Sequence, residues 1–368
     1  MFRIFNRKEF YSVHGDDAFL VARNFFKTTT VIRYLGHGES ALPVVTMSRG
    51  LFETVLRELL LESSVHLVEL YEENPREGWR LSRSASPGKL GAFEDELYRS
   101  SEMLDIPIVT AVRVTVQMGQ RHVGVASFNP NTRHLGACEF IDDEQLCSLE
   151  AMVCQLGAKE CVLPCEKPET PDGRRLREII KRCGALPTDL NSAHFDVHHL
   201  ERDLSHILAK EDEASIHKAS QSNLAGTFVV EKHRAILEKR GAAAALAALL
   251  RFCEILSDPI NHGRCTLSMH DDKKYVRLDA SALRALNVFP ERKSQASSSI
   301  HPGANVGNQF SLYDLLNRCR FSTGRRTLLR WLKQPLVSAE EIRQRHDVVE
   351  ALVGDPEVRD TLRGTHLR

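Results

Sequence analysis

The chain has 368 residues, 49 Lys+Arg balanced by 49 Asp+Glu, 42% apolar residues and nine cysteines. That length predicts two or three domains, and the neutral balance excludes a global electrostatic signature of nucleic-acid binding while leaving room for local basic patches. No run of 18 apolar residues predicts a membrane span, the opening Met1–Lys8 has neither the apolar core nor the cleavage site of a signal peptide, and nine cysteines without framework spacing predict a reducing compartment, cytosol or nucleus.

Residues 1–104 read as a small mixed α/β domain. A strand is expected within Phe2–Tyr11, then a helix over Asp16–Phe26 with Ala18, Ala22 and Phe25 or Phe26 on one face. A strand at Leu42–Met47 precedes a helix at Leu51–Leu61 with Phe52, Val55, Leu56, Leu59 and Leu60 inward. Val65–Tyr71 is β-rich, Ser86-Pro87-Gly88 is a turn, and Leu90–Tyr98 is a short helix.

Residues 105–272 change to an α/β rhythm. Strands at Ile106–Val116, Arg121–Phe128 and Leu135–Phe140 predict an antiparallel meander. A helix follows over Asp142–Leu156, led by acids, then a buried strand at Cys161–Leu163 and a helix at Gly173–Cys183. Three strands, helix, strand, helix is the order of an RNase H-like wrap. The Ala-rich stretch Ala242–Leu256 carries Leu246, Leu249, Leu250, Cys253 and Leu256 on one stripe.

Residues 273–368 read as helical. Ala280–Val288 is the first helix. Residues 290–308, with Ser297-Ser298-Ser299, Pro302 and two glycines, predict a disordered loop. A helix then stops at Pro335, which lacks an N–H and biases Gln334 away from helix. Leu328, Leu329, Trp331, Leu332 and Leu336 form its apolar stripe, and Arg325, Arg326, Arg330 and Lys333 its wet side. That basic face reads equally as a solvated surface and as a DNA-facing one.

Other chemistry is thinly represented. Cys161 and Cys165 form one loose pair, with Cys138 and Cys147 upstream; structural zinc wants two tight pairs, so buried thiols are expected and no metal. Gly119 and Gly124 have P-loop glycine spacing, but Val125-Ala126 follow and no Lys reaches a phosphate, so a β-turn is expected. A two-metal nuclease needs a carboxylate in its first strand, and Ile106–Val116 has none; Asp142, Asp143 and Glu144 fit helix capping.

Two kinds of motif carry a resemblance. One is the hairpin Leu328-x-x-Trp331-Leu332-x-x-Pro335-Leu336 followed by Ile342-x-x-Arg345-x-Asp347-x-Val349-x-x-Leu352. The others, in order, are Phe10-Tyr11-Ser12-Val13-His14-Gly15-Asp16-Asp17-Ala18, Lys159-Glu160-Cys161-Val162-Leu163-Pro164 and Leu283-Arg284-Ala285-Leu286-Asn287. The chain resembles the MutS family of DNA mismatch repair proteins over nearly its whole length, and within it the eukaryotic homologue 2 branch. The resemblance implies a mismatch-binding domain (1–104), an RNase H-like connector (105–272) and a partial α-helical lever (273–368), with clamp and ATPase beyond residue 368. ATP and Mg would belong to that ATPase, so no catalysis or cofactor is expected here.

Partners implied are duplex DNA with mismatches or insertion loops, MutS homologue 6 or homologue 3 as the second subunit, and MutL-type proteins, in the nucleus and away from membranes. Family members that read the mismatch carry Phe-x-Glu, the Phe wedging into the base stack. Ser12 stands where that Glu would be, which implies the supporting subunit. The candidate DNA contacts are Phe10, Tyr11, Ser12 and Lys27, although Phe10 and Tyr11 also read as core aromatics, for Phe10 the stronger reading. An interaction module without DNA binding remains the alternative.

Overall fold

The computed structural model describes residues 1–36, 38, 41–62, 66–74, 78–98, 107–165, 170–209, 233–271, 273–290, 311–362 and 364. The loop expected at 290–308 lies outside these residues except for Pro290, and so do residues 104 and 272, where the first two domains are expected to end.

The first unit is a six-stranded mixed sheet in the order β3-β4-β2-β1-β5-β6. Its strands are β1 (Phe2–Asn6), β2 (Tyr11–His14), β3 (Arg33–Leu35), β4 (Leu42–Met47), β5 (Val68–Asn74) and β6 (Gly78–Ala85). β1 lies antiparallel to β2 with Ile4 opposite Val13, and parallel to β5 with Ile4 opposite Leu70. Alternation turns Phe2, Ile4, Val13, Val68 and Leu70 to one face, where they pack with Phe52, Val55 and Leu56 of the Arg49–Arg57 helix. Ser48 caps that helix by accepting from the Leu51 N–H. The helix expected over Asp16–Phe26 is two pieces, an α-helix at Asp16–Val21 and a π-helical turn at Ala22–Phe26 ended by Lys27 at φ 58°.

The second sheet has the order β11-β10-β7-β8-β9-β12. The meander β7 (Ile108–Gln117), β8 (Gln120–Asn129) and β9 (His134–Asp142) is antiparallel, while β10 (Ala158–Pro164) and β11 (Leu186–Leu190) continue parallel from β7. This is the expected RNase H-like wrap, with β12 (Thr266–Met269) added parallel to β9. Val112, Val123 and Val125 face the helices Cys147–Leu156 and Pro171–Arg182, and Ala111, Ala126 and Phe128 face the helix Arg240–Phe252.

Three expectations are corrected here. The helix expected from Asp142 begins at Cys147. Asp142 ends β9 and receives the Ser148 and Leu149 N–H groups, and Asp143 receives that of Cys147, so the acids do cap the helix but lie outside it. Gly119 is in the β7–β8 turn at φ 78°, but Gly124 is in mid-strand. A Cβ on Gly124 would lie 2.0 Å from the Gly241 carbonyl carbon, so the glycine lets the helix backbone rest on the strand. The same helix start is held by Glu139 of β9, whose Oε2 accepts from the N–H groups of Gly241 (2.7 Å) and Ala242 (3.1 Å). Third, Cys138 and Cys161 are buried, whereas Cys147 and Cys165 are exposed, so only part of that set is core thiol.

The last unit is helical: Ala280–Ala285, Leu312–Leu316, Ser322–Lys333, Ala339–Gly354 and Pro356–Thr361. The helix before Pro335 ends at Lys333, with Gln334 out of helical geometry. Neither Ser322–Lys333 nor Ala339–Gly354 buries a residue fully. The unit is tied to the connector along one seam. Val276 N–H donates to the Pro335 carbonyl (2.8 Å), Gln155 Nε2 to the Val276 carbonyl (2.9 Å), and Gln334 Nε2 to the Gln155 carbonyl (3.2 Å).

Candidate DNA-facing surfaces

β1 and β2 are joined by a tight turn in which the Arg7 N–H donates to the Phe10 carbonyl at 2.8 Å, Lys8 has φ 71°, and Asn6 Oδ1 accepts from the Lys8 N–H. The turn lifts Lys8, Glu9 and Phe10 into solvent, and Phe10 is 41% exposed. Strand alternation separates the next two residues from it. Tyr11 turns inward and stacks on Phe52, ring centroids 3.9 Å apart and planes 7° from parallel. Ser12 is 2% exposed, with its Oγ accepting from Arg7 Nε at 3.4 Å.

Of the three motif residues, then, Phe10 is exposed, Tyr11 is partly buried and Ser12 is buried. The core-aromatic reading of Phe10 fails, because a ring at a hairpin tip has no layer to pack under; the same reading holds for Tyr11. Ser12 is corrected from a surface contact to a buried strand residue. Lys27 is exposed at the end of the π-helical turn, and nothing links it to Phe10.

Behind the hairpin lies an aromatic cluster that sequence reasoning passed over. Phe5 stacks on Tyr71 (5.2 Å) and meets Trp79 (5.2 Å) and His14 (4.8 Å) edge-on, and the Arg7 guanidinium lies 4.4 Å from the Trp79 ring centre. Burial, then the nearby Arg7 charge, holds the His14 imidazole below its ordinary pKa. The available signal was that Phe5 alternates with Phe2 and Ile4, which places it on the opposite face.

The basic helix divides. Arg330 is exposed, Arg325 and Arg326 are half-buried, and Lys333 turns to the connector. Lys333 is corrected from the wet side: a Cβ on Gly157 would lie 2.7 Å from its Nζ, which is also 5.9 Å from the Phe289 ring centre. Gly157 is the left-handed cap of the Cys147–Leu156 helix, so the ammonium lies at the negative end of a helix dipole. Trp331, on the expected apolar stripe, is 38% exposed and covered by the Arg345 guanidinium at 4.3 Å.

β7 carries no acid. The buried carboxylate nearest to it in the sheet, Glu160 on β10, is engaged by Ser86, Gly88 and Thr188. Among the described residues no three His, Cys, Asp or Glu side chains converge as metal ligands, and no helix is long and apolar enough to cross a membrane.

A small mixed sheet presenting an aromatic tip, an RNase H-like unit whose first strand carries no acid and a helical arm define a modular α/β protein with an α-helical extension. Family comparison gives that class a name. MutS domain I matches residues 1–94, MutS domain II residues 108–264 and MutS domain III residues 281–368. The chain belongs to the MutS family. It is 37% identical over 367 residues to the DNA mismatch repair protein MSH2 of Arabidopsis thaliana, covering all of this chain and 36% of that protein. It is 36% identical over 371 residues to msh-2 of Neurospora crassa, again covering all of this chain and 36% of the relative. A 108-residue stretch, 29% of the chain and 7% of the relative, is 34% identical to MSH6 of Arabidopsis thaliana. The chain thus spans about a third of the length of the curated MSH2 relatives it matches.

Proposed function

We propose that this chain forms the mismatch-binding, connector and first lever portions of a MutS-type DNA mismatch repair subunit, acting as the supporting subunit of a heterodimer with MutS homologue 6 or homologue 3 in the nucleus. The observation that carries the reading is the β1–β2 hairpin: Phe10 stands at its tip, but the position two residues on, where a reading subunit has Glu, is a buried serine. A serine hydroxyl buried under Arg7 offers no carboxylate to a base edge, so contact here would be apolar and backbone-directed, without discrimination of the base. Mismatched duplexes and insertion loops are the substrates proposed for the assembled protein, MutL-type proteins its further partners. ATP and Mg chemistry is assigned to the ATPase region of the family, and none to residues 1–368.

Duplex affinity measured for matched and G·T-mismatched DNA at two salt concentrations tests this. Binding should be weak, should fall with salt through counterion release, and should differ between the duplexes by less than about tenfold, or about 1.4 kcal/mol. A larger preference would overturn the supporting-subunit assignment. Salt-independent or absent binding would favour a protein-interaction module.

A further inference from the structure

Glu160 is a charged residue in the middle of a buried strand and is 1% exposed. Its Oε2 accepts from Ser86 Oγ (2.6 Å) and from the Gly88 N–H (2.9 Å), and its Oε1 is bonded to Thr188 Oγ1 on β11. Ser86 and Gly88 belong to the turn after β6, in the N-terminal unit. The turn is itself closed by reciprocal Ser86–Lys89 backbone bonds of 3.1 Å and by Ser86 Oγ accepting from the Lys89 N–H. Contact is close enough to require glycine: a Cβ on Gly88 would lie 2.6 Å from Val109 Cγ2 and 2.8 Å from Glu160 Oε2. One further tie is an ion pair, Lys89 to Glu254, with both side chains substantially exposed and therefore screened.

We propose that Glu160 is a positioning residue, fastening the turn Ser86–Lys89 to the connector and thereby fixing the direction in which the N-terminal sheet presents Phe10. The inference rests on the DNA-binding reading above. A buried acceptor pair aimed at two donors of another unit is directional, whereas apolar contact alone would let the units slide. Glutamine can reproduce every contact, its amide oxygen accepting from Ser86 and Gly88 and its amide NH₂ donating to Thr188 Oγ1. Alanine reproduces none and leaves the part-buried Gly88 N–H without this acceptor.

The test compares Glu160→Gln and Glu160→Ala in the full chain, reading amide hydrogen exchange across residues 86–90 and affinity for duplex DNA. Glu160→Ala should speed exchange in the turn by about tenfold or more, the result of losing about 1.4 kcal/mol, with β1 and β8 unchanged, and should weaken duplex binding severalfold. Glu160→Gln should match the parent in both. Equal exchange in all three proteins, or Gln as disruptive as Ala, overturns the fastening. Faster exchange with unchanged affinity overturns the positioning role. A parent chain that binds no DNA overturns the functional reading, while the exchange result still decides the fastening. If Glu160→Ala unfolds, as raised exchange in β1 and β8 would show, Ser86→Ala serves instead. It removes one donor from the turn side and should give a smaller increase in the turn alone; no increase overturns the fastening.

Discussion

The connector and the helical arm both consist of amphipathic segments, yet they end in opposite states. In the connector, the helix Arg240–Phe252 is buried along eight of its residues, because a sheet lies under it and Gly124 and Gly241 let the backbones touch. In the arm, Ala339–Gly354 has apolar residues at similar spacing and buries none fully; Val348, Val349 and Val353 are exposed. Amphipathicity specifies a helix that requires a partner, and stability comes only where the partner is present.

The largest test of that contrast pairs two truncations to alanine, one in each region. Leu246 is 0% exposed and Val353 is 65% exposed. Leu246→Ala should destabilise the chain by about 2–5 kcal/mol through lost burial and a cavity, and Val353→Ala should stay within about 0.5 kcal/mol. Urea unfolding followed by circular dichroism measures both. Similar losses would show that the arm is packed as tightly as the connector. Limited proteolysis sharpens the point: cuts should accumulate within residues 312–362 before any appear in 108–164.

Next in size is Gly124→Ala. The added methyl would meet the Gly241 carbonyl carbon at 2.0 Å, backbone against backbone, so helix and strand must separate. Overpacking of this kind costs about 1–3 kcal/mol. Gly119→Ala, in the open turn at φ 78°, meets no atom within 4 Å and should cost only backbone strain. If the two variants unfold at the same urea concentration, the close approach is not what Gly124 provides.

Much of this was legible beforehand. The meander and the Ala-rich helix announced themselves by periods of two and 3.6 residues, which depend only on local sequence. What escaped is informative. β6, Gly78-Trp79-Arg80-Leu81-Ser82-Arg83-Ser84-Ala85, is an edge strand with polar residues on both faces and so lacks a clean alternation. β11 contains Pro187 and Asp189, tolerable only because it too is at an edge. Phe10 was misjudged because an aromatic residue at a hairpin tip and one in a core look alike until the turn is located. Glu160 and Lys333 were beyond sequence reading altogether: each takes its meaning from groups far away in the chain, Ser86 and Thr188 for one and the cap at Gly157 for the other.

Lys333 against Arg330 is the next comparison. Both are cations on one helix, but Lys333 lies on the connector and Arg330 in solvent. Lys333→Met should cost about 0.3–1 kcal/mol, the contribution of a cation at a helix C-terminus, while Arg330→Met should leave stability unchanged. A thermal shift for Arg330→Met alone would reverse the assignment of which residue ties the arm to the connector.

The smallest effect expected is a pH slope from Glu160, small because it is a difference of opposing causes. Burial pushes its carboxyl above the ordinary value of 4.5, while the bonds from Ser86, Thr188 and Gly88 and the Lys89 charge pull it back down. The net direction is upward, so between 4.5 and the raised value the native state holds a proton that the unfolded state has lost. Stability from this group is therefore full below 4.5 and declines as pH rises through the raised value. Charged and titratable neighbours share the site, namely Lys89, Glu254, Cys161 and Cys253, and burial pushes the Cys161 thiol up to about 12, outside this window. Asp143, lowered by the Cys147 N–H, gives the opposite slope at lower pH. The measurement is accordingly a difference: unfolding free energy of the parent minus that of Glu160→Gln across pH 4–8. That difference should shrink or turn negative as pH rises, since glutamine stays neutral throughout. A difference that grows with pH would mean the ionised carboxylate is the preferred partner of the turn, and that the three donors outweigh burial.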